Sequence, residues 1–520
     1  MAAGTTLSRL TGFGRVFALA YALGLTRTTD AYNLANTSPN IVYELVIGGV
    51  LSATLLPVFV RLHATEDEEA AWQGISAIVT TVLVAVTALS VALALAAPAV
   101  IHLYTLASEE AVDAQRAVGT VLLRWFAPQV ALYGLVTVAT ALLHARRRFA
   151  VPMFAPVLNN LVVIALLLAL PHVVDDLDVA ALRHDAGALA LLGLGTTAGV
   201  AAMALPQVVA VLRRDRTRLR LRWQPGHPAV RTVLRLSAWT LGFTVANQVA
   251  YWVVIVLANR EPGDLSAYQA AYQYFFLLPH GIIAVSLMSA LQPDLAERWS
   301  LGDAEAFRAR LATGLRSILA ILVPAAVGYL VLARPIVQLL LEHGAFGGDD
   351  ADTVAGVLAV MVVGLPAFSA YLLLMRALQA MQDARTVFFL YLFENGVNVA
   401  LALALYPAFG IQGLAAAFAV AYAAGTAAAF VAMRRRAGGV EGRSVFTTAL
   451  RVLAAAALMA AAVALTSLGV GGTAGVRLAA RVVAAVSVGV TVYFLAARAL
   501  GIGEISTLLR IGRRKAQPGW

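Results

Sequence analysis

The sequence predicts an all-α integral membrane protein of about fourteen transmembrane helices, built as two parallel six-helix lobes plus two C-terminal helices. Three observations predict this class. The 520 residues are 61% hydrophobic and only 13% charged, whereas soluble domains carry about 25% charge. Apolar windows long enough to cross a bilayer recur along the whole chain. Residues of the first half also return, in order, in the second.

Each predicted helix is an apolar window of about 20 residues or more. In chain order the windows are 5–26, 31–61, 73–103, 117–144, 150–171, 187–212, 229–258, 266–296, 309–341, 352–381, 385–407, 410–433, 446–468 and 477–500. The first window has no cleavage site and leads directly into the second, so we interpret it as a retained span and not a signal peptide. The absence of cysteine excludes disulfides and thiolate metal sites.

The positions of the arginines predict the orientation. Connections after even-numbered helices are arginine-rich, as in 146–148, 213–222 and 434–436, whereas connections after odd-numbered helices hold few arginines and collect acids such as those at 175–178. Positive charge concentrates on cytoplasmic loops, so both termini are predicted to be cytoplasmic. The net charge of +10 is accounted for by these loops, and we expect no nucleic-acid partner.

An internal repeat predicts the domain organisation. The offset between matching residues drifts only from 236 to 239, and the matches include Ala31-Tyr32 with Ala267-Tyr268, Pro128 with Pro366, Tyr133 with Tyr371 and Asn159 with Asn398. Six helices is an even number, so both copies enter the membrane in the same direction, with the substrate path expected between them. The predicted divisions are an N-lobe at 1–213, a basic linker at 214–228, a C-lobe at 229–436, and a last pair of helices with a basic tail at 437–520. The linker is either ordinary loop charge or a docking segment for anionic head groups.

Arg9 and Arg15 in the first window are the most informative charged residues. A guanidinium inside a bilayer is costly unless it faces a cavity and has a partner, and arginine binds phosphate bidentately. The pair therefore indicates an anionic head group as substrate, although Arg9 alone could reach the interface by snorkelling. On a straight helix the two would point about 120° apart, and Gly12 and Gly14 could loosen that helix.

The second window begins next to one acid, Asp30, and contains another, Glu44, and the sequence leaves more than one role open for each. Asp30 either caps the second helix or pairs with an arginine when the outer side closes. Glu44 is costly within a helix of the membrane unless it is paired, protonated or ion-bound. Arg124 and Arg376 are also intramembrane by these windows, and the sequence leaves open whether they pair with an acid or face water.

A second set of polar residues points to a cation. Glu394 and Asn398 lie four residues apart on one predicted helix face, and Asn247 with Gln248 could add oxygen ligands from the seventh helix. Oxygen ligands suit hard cations such as Na⁺, and a buried carboxyl could take H⁺ instead. The alternative is a hydrogen-bond network between helices.

Several function classes are disfavoured. The chain has no HExxH pattern and no Walker A motif, so we expect neither a metal enzyme nor an ATPase, and no cofactor beyond Na⁺ or H⁺ coupling. A membrane glycosyltransferase would need an acid pair or a histidine base in an external loop. The acidic loop 175–178 is the weak candidate, and we interpret it as a solvated face. The residues also leave open a drug exporter and a scaffold that recruits cell-wall proteins.

Three segments resemble the MurJ (MviN) family of lipid II flippases, within the multidrug/oligosaccharidyl-lipid/polysaccharide exporter superfamily. They are the runs SRLTGFGR at 8–15, LHARRRF at 143–149 and RALQAMQD at 376–383. The resemblance covers essentially the whole chain. It implies a bacterial plasma-membrane protein that moves the undecaprenyl-pyrophosphate-linked peptidoglycan precursor from the inner to the outer leaflet by alternating access, with cell-wall synthesis proteins as further partners.

The resemblance also implies site residues. First-helix arginines of the family match Arg9 and Arg15, and its acid at the second helix matches Asp30. A family sodium site would fall near Asn247, Glu394 and Asn398, and a groove at the last two helices would take the lipid tail. The chain departs from many members where they carry arginine and it carries Tyr43 and Tyr274, which keeps a different polyprenyl-linked glycan open as substrate. The predicted substrate-binding set is Arg9, Arg15, Asp30, Tyr43, Tyr274 and Arg376.

Overall fold

The computed structural model describes residues 2–44, 52–108, 112–215 and 218–504. All regular secondary structure within these ranges is helical, which confirms the all-α prediction. Ten helical spans among the described residues are long and apolar enough to cross a bilayer, and three of these spans join consecutive helices of those named below. The chain is therefore a multi-pass membrane protein.

The helices, labelled in chain order, share the apolar composition that the windows predict. They are α1 Ala2–Leu23, α2 Arg27–Tyr43, α3 Ser52–Thr65, α4 Glu68–Tyr104, α5 Val112–Phe126, α6 Pro128–Ala145, α7 Ala150–Ala169, α8 Val179–Leu182, α9 Ala186–Asp215, α10 Pro228–Ala258, α11 Asp264–Ala270, α12 Leu277–Pro279, α13 Val285–Ser300, α14 Ala304–Leu341, α15 Gly348–Met361, α16 Leu365–Ala380, α17 Ala384–Ala437, α18 Gly442–Val470 and α19 Gly475–Ala499. Short π-helical segments, Ala271–Phe276 and His280–Ala284, join α11, α12 and α13.

Two of the predicted windows are interrupted at matching prolines. Pro128 begins α6 directly after α5 ends at Phe126, and Pro366 lies in the first turn of α16 after a short 3₁₀ segment. Proline suits the first turn because the amide it lacks has no intrahelical acceptor there. Windows 117–144 and 352–381 therefore each contain a break between two helical segments, although each remains one candidate membrane span.

Other boundaries also differ from the prediction. The window 31–61 comprises α2 and α3, and residues 45–51 between them lie outside the described ranges. The windows 385–407 and 410–433 are joined in α17, which runs 54 residues and is kinked at Gly410 with φ 55° and ψ −140°. That backbone conformation is open to glycine because it has no Cβ, so one residue separates two membrane-length halves.

The chain forms two compact units. Unit 1 comprises residues 1–266 with the short segment His343–Phe346, and unit 2 comprises the remainder. These units are defined by contacts between residues, whereas the predicted lobes are defined by the sequence repeat. The boundaries of the lobes therefore stay a prediction.

Each unit has its own apolar core. In unit 1, Phe59, Trp72 and Ile75 pack with Leu142, and Tyr43 lies against this cluster. In unit 2, α18 and α19 pack on α14 through small side chains that include Ala455, Ala456 and Ala485. Small residues let membrane helices approach closely, and the Tyr493 hydroxyl adds a hydrogen bond to the Ala320 carbonyl at 2.5 Å.

Candidate substrate and ion sites

Arg15 lies in a polar cluster of unit 1. Its half-buried side chain on α1 interacts electrostatically with Tyr133 on α6. The Tyr133 hydroxyl donates a hydrogen bond to Asn40 Oδ1 at 3.2 Å, and the Tyr133 ring lies 4.5 Å from the Tyr43 ring between centroids. The structure thus brings together two predicted site residues, Arg15 and Tyr43, through Tyr133.

Helix α1, which carries Arg15, packs closely on α7. It is helical from Ala2 through Leu23, so the expectation that Gly12 and Gly14 loosen it is wrong. A Cβ at Gly14 would lie 3.2 Å from Ile164 of α7, and the Asn160 amide donates to the Ser8 carbonyl at 3.2 Å. The glycines therefore serve the close approach of α7. Arg9 is exposed, and the pitch of the helix carries it about 9 Å from Arg15 along the axis.

Asp30 is completely buried in unit 1. Its Oδ2 accepts from the Gly263 amide at 2.7 Å, and its Oδ1 accepts from the Ser266 hydroxyl at 2.7 Å and from the Ser266 amide at 3.1 Å. The interpretation of Asp30 as the helix cap is wrong, since Thr26 caps α2 by accepting from the Thr29 amide. Asp30 instead fastens α2 to the segment that follows α10.

Arg27, which the sequence presents only as a loop charge, belongs to the same buried network. Its guanidinium donates to the carbonyl of Asn259 at 2.7 Å and to that of Arg260 at 2.5 Å. The Asn259 side chain is held in turn by Gln115, whose amide donates to Asn259 Oδ1 at 2.8 Å. The buried arginine and aspartate, one helical turn apart, are thus both hydrogen-bonded, as buried charges require, although Arg27 Nε has no partner among the described residues.

Glu44 and Asn247 lie on exposed positions of unit 1. Glu44 accepts a hydrogen bond from the Gln248 amide of α10 at 3.0 Å, so it has a partner next to the predicted ligand Asn247. Asn247 itself is exposed on α10.

In unit 2, Glu394 of α17 is almost fully buried, with 1% of its surface exposed. A Cβ at Gly425 would lie 3.1 Å from Glu394 Cγ and 3.2 Å from Tyr371, so both side chains pack around Gly425. Tyr371 packs edge-on against Tyr391 and Tyr422. The carboxyl group therefore lies among tyrosine rings.

Two oxygens near Glu394 lack hydrogen-bond partners among the described residues. They are Asn398 Oδ1, one turn along α17, and the Tyr371 hydroxyl. Buried polar atoms are normally paired, and unpaired side-chain oxygens beside a carboxyl group form the kind of donor set that hard cations prefer. These two unpaired oxygens are the observation in unit 2 that bears on the predicted cation site.

The remaining predicted substrate residues lie in unit 2. Arg376 on α16 is exposed, and its guanidinium donates to Gln292 Oε1 at 3.3 Å. Tyr274 is half-buried within the π-helical segment after α11. Such segments are rare and concentrate at functional sites. No cluster of three or more His, Asp or Glu side chains suited to a metal occurs among the described residues.

Comparisons with known proteins agree on one family. The model of the family described as lipid II flippase MurJ matches residues 19–495. A probable lipid II flippase MurJ of Rhizobium meliloti (strain 1021) is 28% identical over 99% of this chain and 95% of its own length. A probable lipid II flippase MurJ of Thermotoga maritima is 28% identical over 98% and 97%.

Solved structures show the same fold. A structure of lipid II flippase MurJ in an inward closed conformation superposes with a TM-score of 0.77 at 19% identity, covering 96% of this chain and 99% of that one. An inward-facing multidrug resistance transporter of the MATE family superposes with a TM-score of 0.67 at 14% identity, covering 83% and 94%. At these identities the likeness concerns the fold alone.

Proposed function

This chain belongs to the lipid II flippase MurJ family, and from that premise we propose that it moves lipid II, the polyprenyl-pyrophosphate-linked precursor of peptidoglycan, from the inner to the outer leaflet of the bacterial plasma membrane. The family consists of transporters, so the chain is not an enzyme. A drug-export function is not favoured, because the named relatives are lipid II flippases and the MATE likeness concerns the fold.

The Arg15 cluster is the observation that carries the proposal. A pyrophosphate cannot enter hydrocarbon without replacement of its hydration. Arg15 supplies a positive charge within the membrane region. Hydroxyl groups come from Tyr133, which interacts electrostatically with Arg15, and from Tyr43, whose ring contacts that of Tyr133. Arginine to phosphate hydrogen bonds are charge-assisted and bidentate. We assign Arg15 to the pyrophosphate, with Tyr43 standing where many family members carry arginine, and Arg9, Tyr274 and Arg376 as further contacts.

The proposed topology has fourteen spans, with two six-helix lobes, two C-terminal helices and cytoplasmic termini. The ten candidate spans count the long helix α17 as a single span. At about 1.5 Å per residue, its 54 residues are long enough to cross a core of about 30 Å twice, so a break at Gly410 makes eleven. Adding α1, the pair α2 and α3, and α10 gives fourteen.

Alternating access requires two states with different affinities for the substrate. The buried network of Asp30 and Arg27 in unit 1 holds α2 to residues 259–266. In the proposed cycle this network belongs to the state closed on the outer side, and its rupture accompanies outward opening. In this cycle Asp30 does not bind the substrate, and it controls whether the substrate site opens to the outer side.

Coupling to Na⁺ or H⁺ is part of the proposal. Glu394 and Asn398 would hold the cation, supported by the unpaired Asn398 carbonyl oxygen. A bound cation would supply positive charge that responds to the membrane potential, worth about 2.3 kcal/mol per charge per 100 mV.

The test is complementation in a bacterium depleted of its own flippase, with lipid II accessible at the outer leaflet as the readout. Arg15→Ala should abolish translocation while the protein remains inserted, because the anion loses its charged partner. The matched control is Arg124→Ala, an exposed arginine of α5 in the same unit, which should translocate normally. Normal outer-leaflet lipid II with Arg15→Ala would contradict the proposal.

A further inference from the structure

An apolar cavity of about 810 Å³ lies inside unit 2 between α14, α16, α17 and α18. Its size is typical of small-molecule sites. Among the described residues that line it, Thr426, Arg434 and Glu441 are the polar side chains. The Thr426 hydroxyl donates to the Ala367 carbonyl at 2.8 Å, so it offers no donor to a ligand. The interior of the cavity therefore suits a hydrocarbon chain.

The cavity adjoins a polar one at the turn between α17 and α18. The second cavity, of about 600 Å³, shares Glu441 and Gly442 with the first and is lined by Arg443, Ser444, Thr447, Thr448 and Arg451. An apolar space thus lies next to a space lined with hydroxyl groups and cations, which is the arrangement that an amphiphile requires.

Three arginines at this junction have no counter-ion among the residues that the structure describes. Arg434, Arg443 and Arg451 are exposed, and within the described ranges none of them forms an ion pair or a hydrogen bond through its side chain. Neighbouring arginines differ: Arg436 pairs with Asp383 at 2.9 Å, and Arg316 pairs with Glu504 at 2.9 Å. The junction therefore carries uncompensated positive charge.

The acid at the junction does not cancel this charge. The Glu441 carboxylate lies 3.8 Å from the Arg316 guanidinium, so it already has a cationic partner. Arg316 also contacts the Ser444 hydroxyl at the start of α18. The three remaining arginines are thus left to an external anion.

We propose that this junction binds one anionic phospholipid of the bilayer, with its phosphate at Arg434, Arg443 and Arg451 and an acyl chain in the apolar cavity. Arginine favours phosphate through paired N–H donors. Because an acyl chain gains little by leaving lipid for an apolar cavity, the head group supplies the selectivity. Arginine-rich ends of membrane helices face the leaflet in which anionic lipids attract basic residues.

The test measures lipid binding to the purified full-length protein by native mass spectrometry. The probes are phosphatidylglycerol and phosphatidylcholine with identical chains, and phosphatidylglycerol should bind about tenfold more tightly. Arg434→Gln, Arg443→Gln and Arg451→Gln together should remove that preference. Arg435→Gln is the matched control, because Arg435 is the exposed neighbour of Arg434 and does not line the cavity. Equal binding of both lipids, or an unchanged preference in the triple variant, would overturn the proposal.

A second variant tests the part of the site that would hold the acyl chain, without changing any charge. Ala449→Phe would fill the apolar cavity from α18, and it should weaken phosphatidylglycerol binding while thermal unfolding shows the protein to be folded. Displacement of the lipid by glycerol 1-phosphate at similar concentration would reduce the site to an anion pocket and contradict the proposal. Stronger competition by a polyprenyl phosphate would assign the cavity to the transported lipid and also contradict it.

Discussion

Tyr133 in unit 1 and Tyr371 in unit 2 are matched by the sequence repeat, yet their surroundings have opposite charge. Tyr133 lies beside Arg15 and donates its hydroxyl hydrogen to Asn40. Tyr371 lies beside Glu394, and its buried hydroxyl has no partner among the described residues. The two positions that the predicted repeat matches therefore have a cation nearby in unit 1 and a carboxyl group nearby in unit 2.

The matched asparagines extend this comparison. Asn159 Oδ1 and Asn398 Oδ1 are both buried without a hydrogen-bond partner in the part of the chain that the structure describes. Around Asn159 the space is filled, since a Cβ at Gly199 would come within 2.5 Å of its Oδ1. Asn398 instead shares a helix face with Glu394. The same residue type is therefore a packing element in one unit and a candidate ion ligand in the other.

The largest expected effect comes from removing the two charges. Arg15→Gln should weaken lipid II binding about 10- to 100-fold, because a charge-assisted hydrogen bond to the pyrophosphate is lost. Glu394→Gln should leave this affinity unchanged and remove the dependence of transport on Na⁺ or pH. Binding of lipid II to purified protein and transport in proteoliposomes separate the two outcomes. An equal loss of lipid II affinity in both variants would contradict the assignment of different roles to the two units.

An intermediate effect is expected for the asparagines. If unit 2 alone binds sodium, a concentration ten times the Kd should stabilise the protein by about 1.4 kcal/mol. Asn398→Ala should reduce this sodium-dependent rise in thermal stability, and Asn159→Ala, its matched control, should leave it intact. Loss of the sodium response in both variants, or in neither, would contradict the assignment.

The smallest effect concerns the tyrosine hydroxyl groups. Tyr133→Phe should destabilise the protein by about 1 kcal/mol, since Asn40 loses its donor. Tyr371→Phe should be neutral or slightly stabilising, because it removes a buried hydroxyl that has no partner in the described structure. Thermal unfolding in detergent measures both changes, and equal destabilisation by the two substitutions would remove the contrast.

The candidate site was predictable only in part. The intramembrane position of Arg15 follows from its place within an apolar window, and the repeat singled out Tyr133 without assigning it a role. The partners of Asp30 were not predictable, because Gly263 and Ser266 lie more than 230 residues away in the sequence. Arg27 was missed for the same reason, since its acceptors at 259 and 260 are backbone carbonyls, which leave no sequence signal.

The sequence by itself determined that the chain is helical, crosses a membrane repeatedly, and carries arginines in its first helix, because hydropathy and charge are local properties that the bilayer reads segment by segment. Only the tertiary structure decided which polar groups meet. It placed Tyr133 within electrostatic range of Arg15 and buried Asp30 on residues 263–266. It also left three arginines beside an apolar cavity without a partner among the described residues. Contacts of this kind depend on how helices far apart in the chain pack together. A hydrogen bond forms only when its donor and acceptor lie within a narrow range of distances, and no local sequence pattern fixes that distance.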